Sequence, residues 1–225
     1  MRMHEYIEQY DDLASERDLF SIPLRKEFIL KSIGRGKRVL DVGCLGGQVS
    51  RLIRDSNNEV MCIEANAKAA EVARSRGLDV LVANVEDGIP CESASFDAIC
   101  AAEIVEHLYD TKMFFQEAAR VLRAHGVFVF TTPNLNSIEN RIRVARGHYL
   151  GMAGAYPEDH WGGHIRVFNL EKIEELCGQT GFMIEKVGGI PALASHGGLW
   201  DRSMGWAGRF LPSLSKILMI KARRK

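Results

Sequence analysis

Charge of one sign is missing from this chain. Its 29 lysines and arginines are matched by 29 aspartates and glutamates, and the formal net charge is zero. Without a global positive field it has no electrostatic means of gathering a long nucleic acid, so nucleic acid is not the expected partner. No apolar run approaches the length that spans a bilayer, and no transmembrane segment is expected. Met1-Arg2-Met3-His4-Glu5-Tyr6 lacks the apolar stretch of a secretory signal. Cysteine is sparse and unpaired in pattern: Cys44, Cys62, Cys91, Cys100 and Cys177 form an odd set with no C-x-x-C. Zinc sites built on close cysteine pairs are thereby excluded. Buried free thiols in a reducing compartment are the preferred reading, which makes the expected location cytoplasmic. Internal repeats and low-complexity tracts are also absent.

What is present suits one α/β domain with modest appendages. The chain has 225 residues, 46% of them apolar and 26% charged, ordinary for a globular protein. Strand-like runs alternate with helical periodicity, the pattern of a parallel sheet covered on both faces. Strands are predicted at 39–42, 60–63, Asp79 to Val82, Phe96 to Ala102, 127–131, 182–187 and 217–222. One helix follows the first strand, and another starts at the N-cap Asn66. A third presents Met113, Phe114, Ala118, Val121 and Leu122, and a fourth runs from the cap Asn169 through Ile173 and Leu176. The run Val127-Phe128-Val129-Phe130 needs burial on both faces, as a central strand does.

The most informative stretch is Asp41-Val42-Gly43-Cys44-Leu45-Gly46-Gly47. It reads as a buried strand, a glycine-dense turn and a helix opening over the turn. Such a turn lets a ligand approach the backbone, and the helix start presents unpaired N–H groups at the mouth. The next strand ends in Glu64, where a carboxylate in a doubly wound sheet accepts hydrogen bonds from ribose hydroxyls. Dinucleotide sites use G-x-G-x-x-G to seat a pyrophosphate. Here Leu45 stands at the second glycine, and neither Gln48 nor Val49 supplies the third. An adenosine ligand without phosphate fits better, and a nicotinamide dehydrogenase is a distant alternative.

Five segments in order resemble a class I S-adenosylmethionine-dependent methyltransferase of the broad small-molecule type. They are Val39-Leu40-Asp41-Val42-Gly43-Cys44, the strand ending at Glu64, Ala83-Asn84-Val85-Glu86, Phe96-Asp97-Ala98-Ile99, and Val121-Leu122-Arg123-Ala124-His125-Gly126-Val127. The departure is Leu45, where the family usually has glycine. The resemblance implies a doubly wound, Rossmann-like, seven-stranded α/β sheet, mostly parallel with a C-terminal antiparallel strand. It implies one methyltransferase domain over 1–225. Within it, 1–36 would be a helical lid segment, 37–134 the cofactor-binding core, 135–168 a substrate-lid insertion and 169–225 the C-terminal half of the sheet.

By the same resemblance the cofactor is S-adenosylmethionine, bound by Asp41, Gly43, Cys44, Gly47, Glu64, Ala65, Asn84, Val85 and Glu103. Glu64 would hold the ribose. Asp41 would brace the glycine loop and face the cofactor's ammonium, or serve only as a structural turn cap. Asn84 or nearby backbone would bond the adenine, with Glu86 and Asp87 competing for the role and Val85 packing on the ring. Glu103 would lie near the reacting centre. The acceptor is expected to be a small molecule, with a hydroxyl as nucleophile.

A hydroxyl nucleophile benefits from a base near neutral pKa, which points to histidine. His107 and His164 are the catalytic candidates, with His160 a further one. If Glu103-Ile104-Val105-Glu106-His107 is helical, residues 103, 106 and 107 share one face. With His164 they could hold a divalent metal, a pattern similar to metal-assisted small-RNA 3′-end methyltransferases and some quinone-biosynthesis O-methyltransferases. Many relatives with E-x-x-E-H-L bind no metal, and no metal is the favoured expectation. An RNA 3′-end methyltransferase and a cofactor-binding module without turnover stay open as alternatives. The 135–168 insertion carries Arg141, Arg143, Arg146, Tyr149, Tyr156, Trp161, His160 and His164, and reads as the substrate lid. Tyr6, Tyr10 and Phe20 would close the site from the N-terminal side. The stretch 199–210, with Trp200 and Trp206, resembles a membrane-surface helix. The preferred reading is an excursion between the last two strands, followed by a solvated basic end.

Overall fold

Apolar residues that alternate along each strand assign its two faces to two separate cores. The protein is seen in a computed structural model, which describes residues 23–150, 164–191 and 210–225. The candidates Tyr6, Tyr10, Phe20, Tyr156, His160, Trp161, Trp200 and Trp206 lie outside the described residues. The strands are β1 (Arg38–Val42), β2 (Glu59–Glu64), β3 (Asp79–Val82), β4 (Phe96–Ala102), β5 (Leu122–Pro133), β6 (Phe182–Ile190) and β7 (Ile217–Arg224). They form one sheet in the order β3-β2-β1-β4-β5-β7-β6. Strands β1 to β5 run parallel to one another, while β7 runs antiparallel to both β5 and β6.

The helices are α1 (Pro23–Ile33), α2 (Gln48–Asp55), α3 (Ala67–Ser75), α4 (Thr111–Val121), α5 (Ile138–Ala145) and α6 (Leu170–Gln179). Side-chain caps start several of them. Asn66 accepts the N–H of Ala69 at 3.0 Å, Asp110 that of Met113 at 2.8 Å, and Asn169 that of Lys172 at 2.9 Å. Each satisfies one of the donors a helix start leaves open.

Two strands are longer than their apolar runs suggest. β5 begins at Leu122, directly after α4, because Phe96 and Leu122 pair before the register shifts. It reaches Pro133 because β7 supplies partners as far as Ile217. β6 extends to Ile190 because Gly188 and Gly189 pair with Met219 and Leu218 on the same strand. Those glycines broke the apolar pattern that would have announced the extension.

Leu40, Val42, Ile63, Ile99, Phe128 and Phe130 point to the face covered by α4 and α6. There Phe115 meets Phe128 and Phe130 edge-on, with ring centroids 5.1 and 5.2 Å away. Fully burying one such side chain stabilises by about 1.5–3 kcal/mol. Val39, Ala98, Cys100 and Val129 point the other way, onto Phe28 and Ile29 of α1 and Val49 and Ile53 of α2. Asp41 shares that second face with Val39. Its register partners, Cys62 on β2 and Cys100 on β4, flank it.

From β1 the chain turns to β2 and β3 on one side, then crosses over to β4 on the other. The carboxyl ends of β1 and β4 therefore diverge into a crevice, the place where open α/β sheets bind ligands.

Candidate active site

The turn after β1 is held open by backbone that only small residues follow without strain. Gly43 has φ 72°, and a Cβ there would meet Ile104 Cδ1 at 2.7 Å. Gly47 caps α2 with φ 79°, and a Cβ there would fall 2.2 Å from Leu78 Cδ1. Between them Leu45 is forced to φ 48°, a left-handed conformation costly for a side chain with a Cβ. This is the position where the resemblance expects glycine. The Gly43 N–H is tied to the Ile63 carbonyl at 2.8 Å, and the guanidinium of Arg76 grips the Gly46 carbonyl. Cys44 is buried inside the turn, against Cys62 and Leu78. The loop is built to a fixed shape.

Two carboxylates carry that shape. Glu64 is buried at the end of β2, and its oxygens accept the N–H of Leu45 at 2.8 Å and of Asn66 at 2.9 Å. Burial raises its pKa, while the N–H donors of Asn66, Leu45 and Ala65 pull the other way. Ala65 thus contributes through its backbone. Asp41 lies beneath the loop and accepts the Ser50 hydroxyl at 2.5 Å. Burial pushes its pKa up to about 6, against the hydrogen bonds from Ser50 and Cys100. Within the turn the N–H groups of Gly43 and Cys44 are committed to the Ile63 carbonyl and that of Leu45 to Glu64.

After β3, Asn84 opens a 3₁₀ turn (Val85–Asp87) and accepts the Glu86 N–H at 3.1 Å. The Val85 side chain is buried in the α4-side core. Ala83, Asn84 and Glu86 stay half-buried at the rim. The Glu86 carboxylate accepts the N–H of Tyr109, joining this turn to the one after β4.

The segment after β4 differs from the expected helix. Glu103 sits at φ 56°, and only a 3₁₀ turn (Val105–His107) follows. Residues 103, 106 and 107 therefore do not share a helix face. The Glu103 carboxylate turns to Thr131, whose hydroxyl donates at 2.7 Å, and to the buried guanidinium of Arg25, 3.5 Å away. Strained backbone of this kind collects at functional sites.

Glu106 instead faces the histidines. It is 1% exposed, and neither carboxylate oxygen makes a hydrogen bond of normal geometry. Burial, reinforced by the nearby Glu103 charge, raises its pKa well above the usual carboxylate range. His164 Nε2 lies 3.9 Å from Glu106 Oε1, and the rings of His107 and His164 stand edge-to-face with centroids 4.9 Å apart. The Glu106 carbonyl accepts the N–H groups of both Ile165 and Arg166 at 3.0 Å, fixing the segment that carries His164. Glu106, His107 and His164 offer ligand atoms within 4.8 Å of one another. Glu106 and not Glu103 completes this group.

Sequence reasoning missed Arg25. The signal was present: Arg25 occupies the same face of α1 as Phe28, Ile29 and Ile33, where a charge is out of place. It brings a buried cation to a crevice otherwise lined by Asp41, Glu64, Glu103 and Glu106.

Comparison with known proteins agrees with this geometry. The family profile described as "Methyltransferase domain" matches residues 40–130. The ubiquinone biosynthesis O-methyltransferase of Alkalilimnicola ehrlichii is 28% identical over 158 residues, 67% of this chain and 64% of that protein. The mitochondrial ubiquinone biosynthesis O-methyltransferase of Mus musculus is 25% identical over 209 residues, 83% of this chain and 55% of that one. The matches thus span less than two thirds of those relatives' lengths. A SAM-dependent methyltransferase from Thermotoga maritima shares the fold with a TM-score of 0.72 at 17% identity, over 98% of this chain and 99% of that one. Residues 40–130 thus match a methyltransferase domain, and with its glycine turn, its strand-end Glu64 and its sheet order the chain has the fold of the S-adenosylmethionine-dependent methyltransferases.

Proposed function

We propose that this protein transfers a methyl group from S-adenosylmethionine to a hydroxyl of a small molecule. The observation that carries the reading is the crevice itself. Glu64 ends β2 as a buried carboxylate, the turn departs from the G-x-G-x-x-G that seats a pyrophosphate, and the buried charged groups among the described residues are the carboxyls of Asp41, Glu64 and Glu106 with one guanidinium, that of Arg25. Such a site favours an adenosine ligand bearing positive charge. The bound cofactor supplies an electrophilic methyl group on its sulfonium. The chain supplies alignment and a place for the proton. Glu64 holds the ribose, the turn of Gly43, Cys44 and Gly47 admits the methionine end, and Ala83 to Glu86 border the adenine. Arg25 is placed to take over the cofactor's carboxylate, and Glu103 its ammonium. His107 is the group that accepts the proton of an acceptor hydroxyl, with His164 against it. The names of the ubiquinone-biosynthesis relatives support oxygen as the attacked atom.

A second reading has its own observation. The unsatisfied, buried carboxylate of Glu106 beside two imidazoles suits a divalent cation, which would acidify a coordinated hydroxyl. In that case Glu106, His107 and His164 would hold the ion.

The test is a cofactor-dependent transfer screen over phenolic and other hydroxylated metabolites, with mass detection of the methylated product, run beside calorimetry with S-adenosylhomocysteine and NAD. Methylation of a hydroxyl compound with no NAD binding is the expected result. Tight cofactor binding without any turnover would replace the enzyme by a binding module, and binding of NAD alone would overturn the ligand class.

A further inference from the structure

The end of the sheet beyond β5 carries apolar side chains that the fold leaves in solvent. Asn134, fully buried just past β5, stitches three segments together there. Its side-chain NH₂ donates to the carbonyls of Ser213 and Ser215 at 2.9 and 2.8 Å. Its own carbonyl accepts from Asn140 of α5 at 3.1 Å, and it bridges to Phe168. Each of the three segments presents exposed apolar residues. Ile138 and Ile142 of α5 are 45% and 44% exposed, Ile165 and Val167 42% and 38%, and Phe210 and Leu211 70% and 50%.

The pattern on α5 is ordered. Ile138, Ile142 and Ala145 fall on one stripe at helical spacing, opposite the buried Asn140. Arg141 and Arg146 flank that stripe, one on each side. Glu139 is the one acidic residue between positions 135 and 150, against Arg141, Arg143 and Arg146. In a chain of zero net charge this is a local positive excess. An apolar stripe bordered by arginines is the arrangement of a helix resting in the plane of a lipid surface. The exposed apolar residues of the other two segments lie at the same end of the sheet, where Asn134 ties them to α5, and add contact area.

We propose that this face, centred on α5, docks the protein on an anionic lipid bilayer. The docking rests on the fold's surface and not on the proposed methyl transfer, and vesicle binding is read without turnover. Chain binding to large vesicles of phosphatidylcholine, with and without phosphatidylglycerol, is measured by co-sedimentation at low and high salt. The wild-type protein is expected to bind phosphatidylglycerol vesicles at least tenfold more tightly than neutral ones, and to weaken as salt rises. Ile138→Ser with Ile142→Ser should lower that binding at least tenfold. Arg141→Gln with Arg146→Gln should lower it several-fold while leaving the weak binding to neutral vesicles unchanged. Calorimetry with S-adenosylhomocysteine should be the same for all, since none of these residues lies in the crevice. No sedimentation of the wild type with either vesicle would overturn the proposal. So would binding indifferent to both pairs of substitutions. Should the serine variant unfold, or turn a dimer into a monomer by light scattering, the stripe is covered by protein and the lipid proposal fails.

Discussion

Glu64 Oε2 accepts the backbone N–H of Leu45 at 2.8 Å, so the carboxylate that would hold the ribose also pins the residue with the least favourable φ in the turn. Loop shape and the proposed ligand recognition would thus rest on one side chain. Glu64→Ala should weaken S-adenosylhomocysteine binding by about 1–3 kcal/mol, the range for losing hydrogen bonds to a charged group. Calorimetry on the folded variant checks this. An unchanged dissociation constant would remove Glu64 from the site.

Gly47→Ala tests the rigidity of the same turn. The substitution combines a left-handed φ with a Cβ 2.2 Å from Leu78 Cδ1. A loss of about 1–3 kcal/mol in urea unfolding is expected, together with weaker cofactor binding. A variant as stable as the parent would mean that Leu78 and the turn yield without strain.

Asp41 sets a pH dependence. Its folded pKa is raised to about 6 from an ordinary 3.8, mainly by burial. The folded state therefore holds the proton through a window in which the unfolded chain has released it. Stability contributed by that proton is complete below the unfolded value and is lost as pH rises through the folded one. Relative to Asp41→Asn, the parent should lose on the order of 3 kcal/mol between about pH 4 and pH 6.5. Paired urea melts across that range decide it. A constant difference between the two proteins would show that Asp41 is ionised throughout.

His107 and its neighbours give the sharpest chemical test. With His107 as the proton acceptor, His107→Ala should slow transfer roughly 10²–10⁴-fold with little change in cofactor affinity. A chelator should then leave the parent's rate untouched. Abolition of transfer by the chelator, reversed by magnesium or manganese and restored less well as pH falls through the histidine range, would hand the role to a cation on Glu106, His107 and His164.

Local pattern made part of this molecule legible. Val39 to Gly47 announced a strand and turn, and the short apolar runs at 96–102 and 127–130 announced central strands, because a strand buried on both faces has few polar residues to hide it. The caps Asn66 and Asn169 were readable for the same local reason. What escaped depends on distance in sequence. The approach of His164 to Glu106 is made by two N–H bonds from a remote segment. The turn at Glu103 breaks a helical register that E-x-x-E-H invites, because the backbone there is bent by its ladder bond to Thr131. Arg25 reaches Glu103 only because α1 packs across the sheet. The antiparallel β7 came from family resemblance, since a short apolar run does not state its direction.

The position of β7 has a kinetic consequence. β5 lies in the middle of the sheet, yet one of its two edges is completed by a strand far along the chain: the Arg224 guanidinium bonds the Leu122 carbonyl across 102 positions. Until β7 arrives, Val127 to Phe130 present an apolar edge with unpaired backbone groups, and β6 has nothing to pair with. Long-range closure of this kind is slow, and the waiting edge is a template for other chains. The half of the molecule that holds the glycine turn can therefore assemble first, from β1 to β4. The C-terminal half of the sheet is finished last, by a single insertion of β7 that seats β5 and β6 at once.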